Sequence, residues 1–135
     1  MSGAVDPNEF THPPPTPATT PLYAAVREAE AQASRRIDAA FNAGNVPNFA
    51  GIADATRDLA AAIWNAAPAC PDRDAAIRAV RLARMAFNEA AISTPGVAYV
   101  HGAMTQPHPV FQRGADALRE ARWWACAAIA INVTD

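Results

Sequence analysis

Residues 54–92 read DATRDLAAAIWNAAPACPDRDAAIRAVRLARMAFNEAAI. Two helical patterns meet here across a turn marked by Pro68-Ala69-Cys70-Pro71-Asp72. Before the turn, Ala55, Leu59, Ala62, Ile63 and Ala66 recur three and four apart, the spacing of one helix face. After it, Ile77, Val80, Ala83, Phe87 and Ala91 do the same, with Leu82, Met85 and Ile92 as a looser second apolar patch. The stretch therefore predicts a helical hairpin. Its second arm carries Arg73, Arg78, Arg81 and Arg84, so the hairpin either packs on other helices or holds something anionic.

Working outward, the pattern extends to four helices, over 22–43, 48–66, 72–92 and 110–133. Each has a proline near its start: Pro21, Pro47, Pro71 and Pro109. Proline suits the first helical position, where its missing N–H has no partner to lose. Thr20, and Cys70 or Asp72, stand where caps fall. Leu22, Ala25, Val26, Ala29, Ala33, Ile37 and Ala40 share one face of the first helix. In the second, Ile52 begins the apolar stripe. The last helix is apolar on every side from Trp123 to Ile131, a pattern normally surrounded by protein. In a chain this short, that points to a subunit interface. Residues 1–19 are proline-rich and predict a flexible N-terminal arm. Residues 20–135 form a single helical domain with the hairpin at 48–92. The loop at 93–108 contains Pro95, Gly96, Gly102 and Pro107, and Val97 to Val100 reads as a short strand or an extended rim. A loop of this length is functional or bridges two packed units. The expected fold class is all-α, with four helices around a central hairpin.

Composition sharpens the expectation of assembly. The chain has 135 residues, 51% of them apolar, and about half of the apolar residues are alanine. Alanine forms helix readily but buries little area. With five Phe, three Trp, two Tyr and three Met, the core is thin and a homo-oligomer is expected. All eleven basic residues are arginine, as a GC-rich genome or a role in anion recognition would give. A net charge of −2 argues against a DNA- or RNA-polymer binder. Two cysteines, Cys70 and Cys126, make no disulfide framework. No stretch reads as a signal peptide, and the apolar run at 123–131 is too short to span a bilayer. The expectation is a cytoplasmic protein with no membrane partner.

No constellation reads as catalytic. The sequence has no glycine-rich phosphate loop, no nucleophile motif and no close carboxylate pair on a helix face, so no enzyme and no cofactor are expected. His101, His108 and Cys126 match no standard zinc spacing, and no metal is expected. Arg78, Arg81 and Arg84 fall on successive turns. They either converge on one anion or form a solvated face, with Asp74 pairing to Arg78. Arg84, beside Val80 and Phe87, requires a partner. Arg57 near Trp64, and Arg122 beside Trp123 and Trp124, set guanidinium against indole, as groups that hold phosphate and stack on bases do. Against that stands the plainer role of tryptophan as a core or interface anchor.

Asp58-Leu59-Ala60-Ala61-Ala62-Ile63, then Pro68, Arg73-Asp74, Leu82 and Ala90-Ala91-Ile92 together resemble the helical-hairpin family of phage anti-CBASS and anti-Thoeris proteins. That family has a helix, a proline-containing turn, an Arg-Glu pair opening the second helix and an alanine-rich end; Asp74 stands here in place of the Glu. The run from Leu118 to Ala130 resembles the family's second helix again, without the Arg-acid opening. The resemblance implies a catalytically inert multimer, often a hexamer. It would bind cyclic oligonucleotide or cyclic ADP-ribose signals between subunits and so starve a host antiviral effector. Phosphates would fall to Arg73, Arg78, Arg81 and Arg84, or to Arg119 and Arg122; Trp64, Trp123 or Tyr99 would stack on the base. The rival expectation is a helical interaction module, either an inhibitor binding a host protein or a small structural component. It would show an exposed apolar patch without convergent arginines.

Overall fold

A computed structural model describes residues 14–42, 48–93 and 109–134. The described residues form four α-helices and no strand: α1 (Thr20–Phe41), α2 (Phe49–Ala66), α3 (Pro71–Ser93) and α4 (Pro109–Asn132). Each boundary lies within two residues of the position expected from the sequence. The all-α reading therefore holds. The segment at 94–108, with its candidate strand and with Tyr99, His101 and His108, lies outside the described residues, as do the first thirteen residues of the arm.

The helix starts follow local chemistry. Pro21 sits in the first turn of α1, preceded by a Thr16–Thr19 knot in which the Thr16 amide donates to Thr19 Oγ1 at 2.7 Å. Asn48 caps α2 by accepting from the Gly51 amide at 3.0 Å. Pro71 opens α3, so Cys70 occupies the cap position, and its carbonyl accepts from the Asp74 amide at 3.2 Å. Asp72 and Asp74 lie in the first turn of α3, where the positive end of the helix dipole favours them.

The widest packing is α3 on α4, followed by α1 on α2; α2 meets α3 less extensively, and α1 also touches α4. The turn-linked pair α2–α3 is therefore not the principal packing unit. Both helices of this pair bury alanines, Ala79, Ala83, Ala86 and Ala90 of α3 and Ala117, Ala121, Ala125 and Ala128 of α4, small side chains that suit close packing. Bulk enters at one end. Phe41, Phe87 and Phe111 interlock edge-to-face at centroid distances of 5.0, 5.1 and 6.2 Å, geometry that favours the ring quadrupoles.

The apolar stretch of α4 finds its cover within the chain. Ala125, Cys126, Ala127, Ala128 and Ile129 are buried by the other helices, because α4 packs on both α3 and α1. Residues 125–129 are thus covered without a second subunit, while Trp123 and Trp124 are half-buried. Ile131, at the end of the apolar stretch, is exposed, and so are Phe49 and Trp64 of α2 and Leu82, Met85 and Ile92 of α3. Among the described residues, no helix is long and apolar enough to cross a membrane.

Candidate functional site

The arginines of the sequence sort into two groups once folded. One group lines a shallow trough along the α2–α3 face. Towards the turn, Trp64, Asp74, Ile77, Arg78 and Arg81 enclose about 340 Å³. Further along, Thr56, Arg57, Ala60, Ile77, Val80, Arg81 and Arg84 enclose about 230 Å³. Ile77 and Arg81 belong to both hollows, so the two are continuous. The floor combines Ile77 and Val80, expected on the apolar face of α3, with Thr56, which the sequence did not single out. Thr56 is buried, and its hydroxyl is satisfied by the Ile52 carbonyl at 2.9 Å, which leaves a small neutral surface between the charged walls.

At the turn end, the Arg73 guanidinium carbon lies 3.6 Å from the Trp64 ring centroid. This is a cation–π contact made across the proline turn. The sequence puts Arg57 nearest to Trp64; the turn brings in Arg73 instead. Arg73 Nη1 also donates to the Ala67 carbonyl at 3.4 Å, while its Nε is buried without a hydrogen-bond partner. Trp64 nonetheless stays 56% exposed, so one ring face is held by a cation while much of the ring meets solvent. Such exposure is unusual for a structural tryptophan, and the core-anchor role does not describe this one.

Arg78, Arg81 and Arg84 are exposed and form no ion pair among the described residues. The expected Asp74–Arg78 helix pair is absent. Arg84, placed by the sequence at the edge of the buried face and in need of a partner, points its charge to solvent and needs none. Arg57 is partly neutralised, by Asp54 at 3.1 Å and Asp58 at 3.8 Å. Asp58 also accepts from Arg36 of α1 at 2.7 Å, and that hydrogen bond holds its carboxyl below the usual range. Along the trough Arg57, Arg73, Arg78, Arg81 and Arg84 stand against Asp54, Asp58 and Asp74. These side chains sum to a net positive charge on a chain whose overall charge is −2.

The second group does not converge on this trough. Arg122 forms an ion pair with Glu30 of α1 at 3.2 Å, with both side chains largely shielded, at 17% and 13% exposure. It ties α1 to α4. Arg119 pairs with Asp116 on its own helix. Trp123 packs edge-to-face on Trp124 at 4.8 Å, and Trp124 Nε1 donates to Glu120 at 3.4 Å. The candidate phosphate and stacking roles of Arg119, Arg122 and Trp123 are thus occupied by structural contacts within α4 and to α1. No local spacing announces the Glu30–Arg122 pair, because its partners are distant in sequence.

No family model, curated protein or solved structure matches this chain. Among the described residues, no group of three or more His, Cys, Asp or Glu could hold a metal ion. Cys126 is buried, and desolvation pushes its thiol up to about 11, far from the thiolate that nucleophilic chemistry needs. The trough itself has a hydrophobic-and-hydroxyl floor, exposed cationic walls and an aromatic end. That arrangement can bind an anion bearing a flat ring, with the Asp74 carboxylate at its turn end.

Proposed function

We propose that this protein is a non-catalytic binder of a small phosphorylated aromatic ligand. It would be a cyclic oligonucleotide or cyclic ADP-ribose-type messenger, sequestered as phage anti-defence sponges do. The observation that carries the proposal is the exposed Trp64 with Arg73 on its ring, opening onto Arg78, Arg81 and Arg84 in one continuous trough. Guanidinium groups recognise phosphate oxygens in pairs, and a base stacks on indole whatever its identity. The hairpin resemblance supplies the ligand class. Arg73 already covers part of Trp64, so a base takes the open portion of the ring or displaces the guanidinium.

The test is a thermal-shift screen of the full chain against cyclic dinucleotides, cyclic trinucleotides and cyclic ADP-ribose isomers. A ligand at a hundred times its dissociation constant stabilises the fold by about 2.7 kcal/mol, an unmistakable rise in Tm. Trp64→Ala and Arg81→Ala abolish the shift, Arg119→Ala leaves it intact, and the ligand is recovered unchanged. No shift with any of these compounds at millimolar concentration refutes the proposal.

A second reading is favoured by a separate observation. Leu82, Met85 and Ile92 are 51%, 65% and 70% exposed on one side of α3, an apolar patch free of buried arginine, as a helical interaction module presents to a protein partner.

A further inference from the structure

The outward face of α3 has an order that sets it apart from scattered surface hydrophobics. Ala75, Arg78, Leu82, Met85, Glu89 and Ile92 follow one another at steps of three and four, the spacing of a coiled-coil seam. Leu82, Met85 and Ile92 are the exposed apolar members; Arg78 and Glu89 are exposed too. Beside this seam runs a groove of about 490 Å³ between α3 and α4, floored by Leu82, Met85, Ala86 and Ala117.

The seam is complementary to itself in one direction only. Laid antiparallel about a two-fold axis between Leu82 and Met85, Leu82 of one copy meets Met85 of the other. Arg78 then meets Glu89, and small Ala75 meets large Ile92. Laid parallel, Arg78 faces Arg78 and Glu89 faces Glu89, which charge repulsion disfavours. The antiparallel arrangement is also the isologous one that closes a dimer. Arg78 forms no ion pair among the described residues. Glu89 accepts from Arg113 at 3.3 Å with its side chain 57% exposed, and a carboxylate has lone pairs for a second guanidinium.

We propose that a second copy of this chain covers this face, α3 against α3 in antiparallel two-fold contact centred between Leu82 and Met85. The two-fold axis stands normal to the plane of the helix pair. It puts α4 of both copies on one side of the seam and Arg81 of both copies on the other, so the two α2–α3 troughs open in the same direction. Glu89 of the second copy engages Arg78, leaving Arg73, Arg81 and Arg84 to the trough. Nothing else in the contact depends on the ligand proposal.

Sedimentation velocity and native mass on the full chain test this without any ligand. The wild type runs as a dimer, or a multiple of one, from micromolar concentrations upward. Arg78→Glu and Glu89→Arg each place like charges opposite each other at two symmetric points and weaken self-association by at least about tenfold. The double variant Arg78→Glu/Glu89→Arg restores the pairing with charges exchanged and returns to within about threefold of wild type. Met85→Glu breaks the contact, and circular dichroism shows that the variant remains helical. A wild type that is monomeric at every concentration leaves the face to another partner and overturns the proposal. So does a dimer indifferent to Met85→Glu, or a double variant weaker than either single one.

Discussion

Gly114 of α4 sits where α4 meets the phenylalanine cluster, and replacing it with alanine tests how rigid that meeting is. A Cβ added at Gly114 would lie 2.8, 2.8 and 2.9 Å from Cε1, Cζ and Cδ1 of Phe87. Carbon atoms rest about 3.5–4.0 Å apart, so the ring or the helix has to give by about 0.7 Å. Phe87 is 1% exposed and wedged between Phe41 and Phe111, so the ring has nowhere to turn and the strain passes to the α3–α4 spacing. Overpacking of this kind costs about 1–3 kcal/mol, and the better helix propensity of alanine returns about 1 kcal/mol. Gly114→Ala is therefore destabilising by roughly 1 kcal/mol, a fall in Tm of about 4 °C. Urea unfolding followed by circular dichroism reads it as a lower midpoint at unchanged slope. In the Gly114→Ala background, Phe87→Leu relieves the clash and costs less than it does alone, so the two changes are not additive. A Gly114→Ala protein more stable than wild type, or one in which Phe87→Leu costs as much as it does alone, refutes the claim that the cluster is close-packed.

Three further outcomes follow from separate parts of the fold. Glu30→Gln removes the carboxylate that pairs with the shielded Arg122 and costs about 1–3 kcal/mol in urea unfolding, between the values for exposed and for fully buried pairs. Cys126 keeps its proton in the folded chain up to about pH 11, against an ordinary value of 9.0, because burial disfavours the thiolate. The stability it contributes is fully present below pH 9 and is lost as pH rises towards about 11, on the order of 2 kcal/mol. Cys126→Ala flattens that slope, and the residual alkaline slope reflects Tyr23, whose pKa burial also raises. Asn48→Ala removes the α2 cap and costs about 1 kcal/mol, seen as faster amide exchange in the first turn of α2.

The helices were legible because their signals are local. Prolines at 21, 71 and 109 mark three starts that the structure keeps, and Leu59 and Ile63 share the buried face that their spacing predicts. The site was legible only in its ingredients. Arg78 and Arg81 fall together because they share a helix, whereas Arg73 meets Trp64 through the path of the turn, which spacing does not encode. Alanine blurs the rest. The all-round apolar stretch of α4 fits a subunit interface and a central position in one chain equally well, and it was contact with both α1 and α3 that decided between them. The tie from Glu30 to Arg122 joins helices distant in the chain, so no window of sequence contains it.

The three tryptophans stand in two different optical settings. Trp123 and Trp124 lie edge-to-face at 4.8 Å, close enough to exchange excitation as a pair, and are half-buried in α4. Trp64 stands apart, largely in water, with a guanidinium against its ring. The intrinsic emission therefore divides into a blue component from the pair and a red one from Trp64. The red component responds more strongly than the half-buried pair to small polar quenchers, and it sits at the turn end of the α2–α3 trough, so the protein carries a built-in fluorophore at the place where occupancy is in question.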